Sequence, residues 1–377
     1  MSQVSPSSVD VRPVSLPKDA ETFIDVWFDL YRDNPHWVAP LRFERKDFLN
    51  PAKNPYFKLA NIQCFIAWKD GRPVGTISAQ VDTGYQLVER GVGFFGFFEF
   101  PNDPAVARAL LDTAHDWLRG QGMTRMMGPF SFNTNHECGL LVDAFDSDPL
   151  VLMTYNLPYY PTIYDGLGLT KAKDLYAYWL VNDGPVPERI GKLADRVVQK
   201  YPQVKFRPFN PKMFEQEVAI ARDIYNDAWA DNWGFVRLTD EEFAKVAEGL
   251  KPMIDPRYCY VAEVDGKAIA FSITLPDYNQ VVKPMKGRIF PFGWWYWLTM
   301  PKKISQIRVF ALGVRREWQH LPLGAPLYKM TWDAGRAAGV TGAECSWILE
   351  DNTRMRGALE KLGGRISKTY RIYQAEI

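Results

Sequence analysis

Three pairs of landmarks recur at one offset, 195 residues, along this chain of 377. Arg12-Pro13 and Arg207-Pro208 each precede a helical pattern. Asp70-Gly71 and Asp265-Gly266 each divide two strand-like runs, and Gly168 and Gly363 each follow a leucine near a terminal strand. The middle pair constrains the fold most. FIAWKDGRPVG and YVAEVDGKAIA carry apolar residues at matching positions on both sides of a pair that favours a tight β-hairpin turn. A repeat of this length reads as an internal duplication, and the chain is long enough for about two domains. We expect two like units of mixed α/β architecture, 1–185 and 186–377, joined at Asp183–Pro187.

The first unit opens with a strand, Val11 to Leu16, and a helix with Phe23, Val26, Trp27 and Leu30 on one face. Prolines at 35, 40, 51 and 55 then forbid one long helix. After the hairpin come a strand, Gly91 to Phe100, and a helix from Asp103. The second unit repeats this pattern and adds a distinctive stretch, Ser305 to Gly339. Gln306 to Val314 reads as a strand and Arg315 to Pro322 as a loop. Leu323, Leu327, Met330, Ala334 and Ala337 then keep helical spacing until Gly339. A strand feeding a loop that opens into a helix leaves unpaired backbone N–H groups at the helix start, a cradle for phosphate.

Composition narrows the possible functions. A formal net charge of +1 provides no field for nucleic acid. The cysteines Cys64, Cys138, Cys259 and Cys345 lack metal-ligand spacing and are expected as reduced core thiols; no metal is expected. The polar start, MSQVSPSSVD, does not read as a signal peptide, and no apolar run approaches the roughly 20 residues needed to span a bilayer.

Two further segments stand out. From Gly128, GPFSFNTNHECGLLVDAFDSDP collects Asn133, Asn135, His136, Glu137 and Asp143, followed by Tyr155, Tyr159 and Tyr160. Such groups either face a cleft or satisfy their own backbone in turns. The stretch at about 281–303, VVKPMKGRIFPFGWWYWLTMPKK, sets Phe290, Phe292, Trp294, Trp295, Tyr296 and Trp297 between lysines and arginine. Tryptophan with basic flanks is the composition of a membrane-interface segment; an acyl-chain tunnel and a buried lid are the other readings.

The cradle stretch resembles the GNAT acyltransferases. Gln319, Pro322 and Gly324 match their Arg/Gln-x-x-Gly-x-Gly/Ala loop, with Pro322 in place of the first glycine. Asn352 followed by Leu359-Glu360-Lys361-Leu362-Gly363 matches a second GNAT element, with Leu359 in place of its tyrosine acid. NPHWVAPL, NTNHECGLLVDAFDSDP, YNLPYYP, NDAWADNWGF and GRIFPFGW together resemble a bacterial family of tandem GNAT proteins that includes bacterial ceramide synthases.

The resemblance implies N-acylation of a sphingoid base, 3-oxosphinganine, by a long-chain acyl-CoA bound in the second unit. Backbone N–H groups of Leu312, Gly313 and Val314 would polarise the thioester. The loop residues Gln319, His320, Leu323, Gly324 and Ala325, with Arg315, Arg316 and Asn352, would hold the coenzyme. In the first unit FGFFEFPNDP places Glu99 where phosphate would sit, so coenzyme binding is expected to be lost there. His136 or Glu137 would act as base, reaching a cleft between the units; a histidine pKa of about 6.5 suits proton removal near neutrality. Asn133, Asn135, Tyr159, Tyr160, Asn226, Trp229, Asn232, Trp233, Phe290, Trp294 and Trp295 are placed at the acceptor. The expected location is cytoplasmic, peripheral to the inner face of the membrane. Fem-like aminoacyl transfer, small-amine acetylation and a catalytically silent lipid-binding protein are the alternatives.

Overall fold

Both Asp-Gly turns form with all four residues in the left-handed region: φ is 52° and 74° at Asp70 and Gly71, and 50° and 76° at Asp265 and Gly266. Asparagine, aspartate and glycine tolerate this region where other residues strain. The computed structural model describes residues 8–377, so most of the polar N-terminal stretch lies outside the described residues. Unit 1 comprises the chain to Asp174 together with Met285–Pro291 and Tyr370–Ile377; unit 2 comprises Leu175–Pro284 and Phe292–Thr369. The chain therefore passes between them inside a strand and not at Asp183–Pro187, because that strand is already hydrogen-bonded to unit 2 from Leu175 onward.

In unit 1, β1 (Asp10–Val14), β2 (Ala60–Lys69), β3 (Arg72–Asp82) and β4 (Val92–Glu99) form an antiparallel series. The pairing turns parallel between β4 and β5 (Arg125–Gly128). The helix Pro104–Gly120 buries Val106, Leu110, Ala114 and Leu118 against this sheet, and the helix Ala20–Leu30 buries Phe23, Ile24 and Trp27 in a second cluster. A short strand, β6 (Leu140–Leu141), pairs with Tyr370 and Arg371 near the chain end.

Unit 2 begins within β7 (Thr170–Val181) and repeats the plan. β8 (Val204–Pro208), β9 (Cys259–Val264), β10 (Lys267–Pro276) and β11 (Gln306–Val314) are antiparallel; β11 and β12 (Gly342–Leu349) are parallel. The last strand, β13 (Arg365–Glu376), returns to unit 1 at Tyr370. Registers repeat at the offset seen in the sequence: Arg12 lies opposite Ile66, and Arg207 opposite Val261. The four cysteines are buried and none takes part in a disulfide. Among the described residues no helix is long and apolar enough to cross a membrane.

Candidate active site

In unit 2 the parallel strands separate. β11 pairs with β12 only from Gln306–Val309 to Gly342–Cys345. Ile273 faces Ala311 and Thr274 faces Val309, so Phe310 is an extra residue that bends β11 at the point of separation. Phe310, Ala311, Leu312 and Val314 are then only partly buried, leaving backbone available on the diverging edge. Inside the closed half, Arg308 is fully buried and spans to β12: its Nε donates to Ser346 Oγ at 2.9 Å, and that hydroxyl donates to Glu344 at 2.7 Å. Gly313 lies under Trp229; a Cβ there would come within 2.6 Å of the indole.

The loop after β11 is pinned by apolar anchors: Leu321, Leu323 and Leu327 are buried in the unit 2 core. The helix that follows runs from Gly324 to Ala337, behind an N-cap, Leu323, whose side chain cannot cap it. An alanine Cβ at Gly324 would have no neighbour nearer than 3.8 Å, so the helix start is open. Pro322 and Pro326 supply no N–H, and the Ala325 N–H already binds Pro322 O at 3.1 Å. The donor array is correspondingly sparse.

Several predicted cofactor side chains are committed elsewhere. Arg316 pairs with Asp227 and Asp231, Arg315 Nε donates to Ala268 O, and Gln319 donates to Val314 O at 3.1 Å. His320 Nδ1 lies 2.9 Å from Glu317 O. Asn352 caps the helix Thr353–Lys361 by accepting from Met355 N. Of the two arginines expected to bring charge to the loop, Arg316 is paired with carboxylates, whereas Arg315 bonds only a neutral carbonyl and keeps its charge there. A cation the sequence reading missed, Arg354, donates to the Gln319 carbonyl.

In unit 1 the equivalent strands do not open. Phe130 N donates to Phe95 O at 2.9 Å, and a Cβ on Gly96 would lie 1.6 Å from Phe130 O. β4 is buried over Val92–Phe98. The next helix is capped by the Asp103 carboxylate, which accepts from Ala105 N and pairs with Lys69.

The polar cluster of unit 1 is tied together more tightly than a free catalytic pair. Asn133 donates to Asp82 and accepts from Asn135 N; its Oδ1 is 3.0 Å from His136 Nδ1. The His136 ring packs edge-on to Phe48, Tyr56 and Phe132, and burial lowers its pKa to about 4. It is neutral at pH 7 and a much weaker base than an unperturbed histidine, which corrects the pKa argument made for it. Glu137 is gripped by both terminal nitrogens of Arg45, one at 2.9 Å.

The carboxyl that stands out is Glu99, at the end of β4. Its Oε2 accepts from Tyr31 OH and Tyr160 OH, each at 2.7 Å. Burial pushes its pKa up to about 7. Tyr159 donates instead to Phe100 O. The visible signal in the sequence was a single acid in FGFFEF.

On the helix Phe214–Ala228 of unit 2, Asn226 makes two hydrogen bonds to the Leu238 backbone, fixing the following loop. Trp229 continues a ring series with Tyr225 and Phe271; Asn232 N closes a turn onto Trp229 O, and Trp233 follows it. The aromatic segment forms a short helix, Gly293–Thr299, with exposed Trp294, Trp295 and Leu298, after exposed Phe290 and Phe292. Trp297 packs on Tyr278.

The two units share one plan, an antiparallel series whose last, bulged strand pairs in parallel with the next, and define a tandem GNAT fold; only in unit 2 does that strand splay from its parallel neighbour. Solved structures agree. A tandem GNAT protein from the clavulanic acid biosynthesis pathway matches with a TM-score of 0.57 at 13% identity, covering 98% of each chain. A GCN5-related N-acetyltransferase from Sphaerobacter thermophilus gives 0.53 at 12% identity, over 98% of this chain and 96% of that one. No family model matches the chain. A protein named bacterial ceramide synthase, from Caulobacter vibrioides, is 37% identical over 98% of this chain and 97% of its own. Protein YghO of Escherichia coli is 36% identical over 97% and 95% respectively. The chain belongs to the family of these relatives, a family of GNAT-fold acyltransferases.

Proposed function

We propose that this protein is an N-acyltransferase that moves a long-chain acyl group from acyl-CoA to the amine of a sphingoid base, 3-oxosphinganine, forming an oxidised ceramide. The observation that carries this reading is the contrast within the fold: β11 is accessible beyond Val309 and leads to an uncapped helix at Gly324. The acceptor class comes from the name of the Caulobacter relative. Unit 2 is the coenzyme-binding domain in this reading, and unit 1 a degenerate copy that contributes to acceptor binding.

Backbone N–H groups around Leu312–Val314 stabilise the oxyanion as the amine attacks the thioester. The loop from Gln319 to Ala325 and Arg354 hold the pyrophosphate. Leu359 cannot protonate the departing thiolate. Tyr328, whose hydroxyl meets Met355 Sδ at 3.2 Å one turn before Leu359, is a phenol that can. The exposed aromatic segment attaches the protein to a membrane surface: Phe290 is 78% exposed, Trp295 57% and Leu298 68%, and each immersed side chain contributes about 1.5 to 3 kcal/mol. Lys302 and Lys303 follow that helix and favour an anionic leaflet.

The test is incubation of purified protein with palmitoyl-CoA and 3-oxosphinganine, with thiol release and product mass measured, and with sphinganine and acetyl-CoA as comparisons. An N-acyl product from the long-chain pair is expected. Absence of product with every pair, together with absent coenzyme A binding, would sink the proposal and favour the silent lipid-binding reading, for which Pro322 and Pro326 are the supporting observation. Sedimentation with anionic liposomes tests attachment. Serine at Phe290, Trp294 and Trp295 should abolish co-sedimentation; Trp297 is a poor choice because it packs on Tyr278.

A further inference from the structure

The Glu99 site is not used by the cofactor chemistry above, and its geometry is unlike that of a carboxylate that merely fills the core. Both phenols, Tyr31 from the end of the first helix and Tyr160 from the helix Tyr160–Gly166, donate to the same oxygen, Oε2, at 2.7 Å. Among the described residues Oε1 accepts no hydrogen bond, and Glu99 is only partly buried. A carboxylate held by two donors on one oxygen, with the other free, is oriented to receive a further donor. Rings lead away from it. Tyr31 stacks on Trp37 with centroids 5.1 Å apart, and Trp37 meets Phe28 edge-on at 5.1 Å. Phe28 in turn touches Gly287, where a Cβ would come within 2.5 Å of the ring. Gly287 O also accepts from Arg42 N at 3.0 Å. Gly287 opens the stretch that ends in exposed Phe290, so ring contacts run within unit 1 from Tyr31, one of the two donors to Glu99, to the base of that stretch.

We propose that Glu99, with Tyr31 and Tyr160, is the receptor for the ammonium group of a long-chain primary amine, whose alkyl chain lies along Trp37 and Phe28. The amine donates a charge-assisted hydrogen bond to Oε1 while the phenols keep the carboxylate fixed. The proposal rests on the acyltransferase reading only for the identity of the amine as acceptor.

The experiment is calorimetric titration of the full chain at pH 8, without acyl-CoA, with sphinganine and with N-acetylsphinganine in nonionic micelles. The two probes share a tail, but the second carries no ammonium. Wild-type protein is expected to prefer sphinganine by about tenfold or more, the range of a charge-assisted hydrogen bond. Glu99→Gln should erase the preference while leaving coenzyme A affinity unchanged, which a merely structural role would not achieve. Equal affinity of the wild type for both probes overturns the proposal even if Glu99→Gln fails to fold, as does a preference that survives the substitution. Selective amine binding without acyl transfer would remove the proposed function and keep the site. Transfer to sphinganine by a protein with no such selectivity would do the reverse.

Discussion

β4 and β11 occupy the same place in two copies of one plan, yet one is closed and the other open. In unit 1 the residues after β5 fold back so that Phe130 hydrogen-bonds to Phe95, and β4 has no accessible edge up to Phe98. In unit 2 the strands part after Val309 and Cys345 and stay apart. The helices that follow differ in the same sense. The first begins with the Asp103 carboxylate already on its N–H groups; the second begins with Leu323 and Gly324 and presents none. A helix start attracts one anion, so a built-in carboxylate and an external phosphate are alternatives. In the proposed function the closed copy has lost the coenzyme, and its strand end carries Glu99 between two phenols.

The sharpest way to break this comparison is at the glycines that set it. Gly96→Ala places a Cβ against the Phe130 carbonyl, and because neither backbone can yield it should cost about 3 kcal/mol or more. Gly324→Ala meets nothing closer than 3.8 Å, an ordinary contact with the Tyr328 ring, and should change stability by less than about 0.5 kcal/mol. Urea unfolding of both variants checks the pair; similar midpoints would mean that unit 1 is not closed by this contact.

Glu99 is next in size. Its folded pKa is raised from the ordinary value of 4.5 to about 7 by burial. For an acid raised in this way, the unfolded chain ionises first as pH rises. Stability is therefore fully present below about 4.5 and is lost between there and about 7. The loss is up to about 3 kcal/mol. Glu99→Gln should keep an acceptor for the phenols and remove this dependence. Unfolding measured at pH 5 and pH 8 should show wild type losing stability relative to the variant at the higher pH; a constant difference would place the titration elsewhere.

Giving unit 2 the device of unit 1 is the converse experiment. Gly324→Asp sets a carboxylate at the helix start, where its Cβ has no neighbour nearer than 3.8 Å. Repulsion of a pyrophosphate a few ångströms away should weaken coenzyme A binding by about 100-fold, read by calorimetry, with the fold intact. Unchanged affinity would move the coenzyme away from this loop.

What could be read from the chain alone follows the range of the interactions concerned. The hairpins, the repeat and the cradle helix depend on residues close in sequence, such as Asp265-Gly266 or Leu323 and Leu327, and their places hold in the structure. The Glu99 site depends on Tyr31 and Tyr160, 68 and 61 residues away, and so Glu99 looked like an obstacle to phosphate and nothing more. Arg45 meets Glu137 across 92 residues, which is why Glu137 looked like a free base. The aromatic stretch is recognisable by composition, but its form is not: Pro291 and Pro301 bracket a run just long enough for two helical turns.

The smallest effect separates the two ways in which unit 1 could exclude an anion, by charge or by closed backbone. Asp103→Asn keeps a capping oxygen for Ala105 N but removes the negative charge and the 2.7 Å pair with Lys69. Asparagine caps nearly as well as aspartate, and a half-buried surface ion pair contributes about 1 kcal/mol at most, so the stability loss should be about 0.5 kcal/mol. Placed in the Gly324→Asp background, where unit 2 no longer competes, the same substitution should restore no coenzyme A binding, because the Phe95–Phe130 hydrogen bond still closes the splay. Recovered binding in that double variant would show that charge alone silences unit 1 and that its strands part more readily than the contact at Gly96 implies.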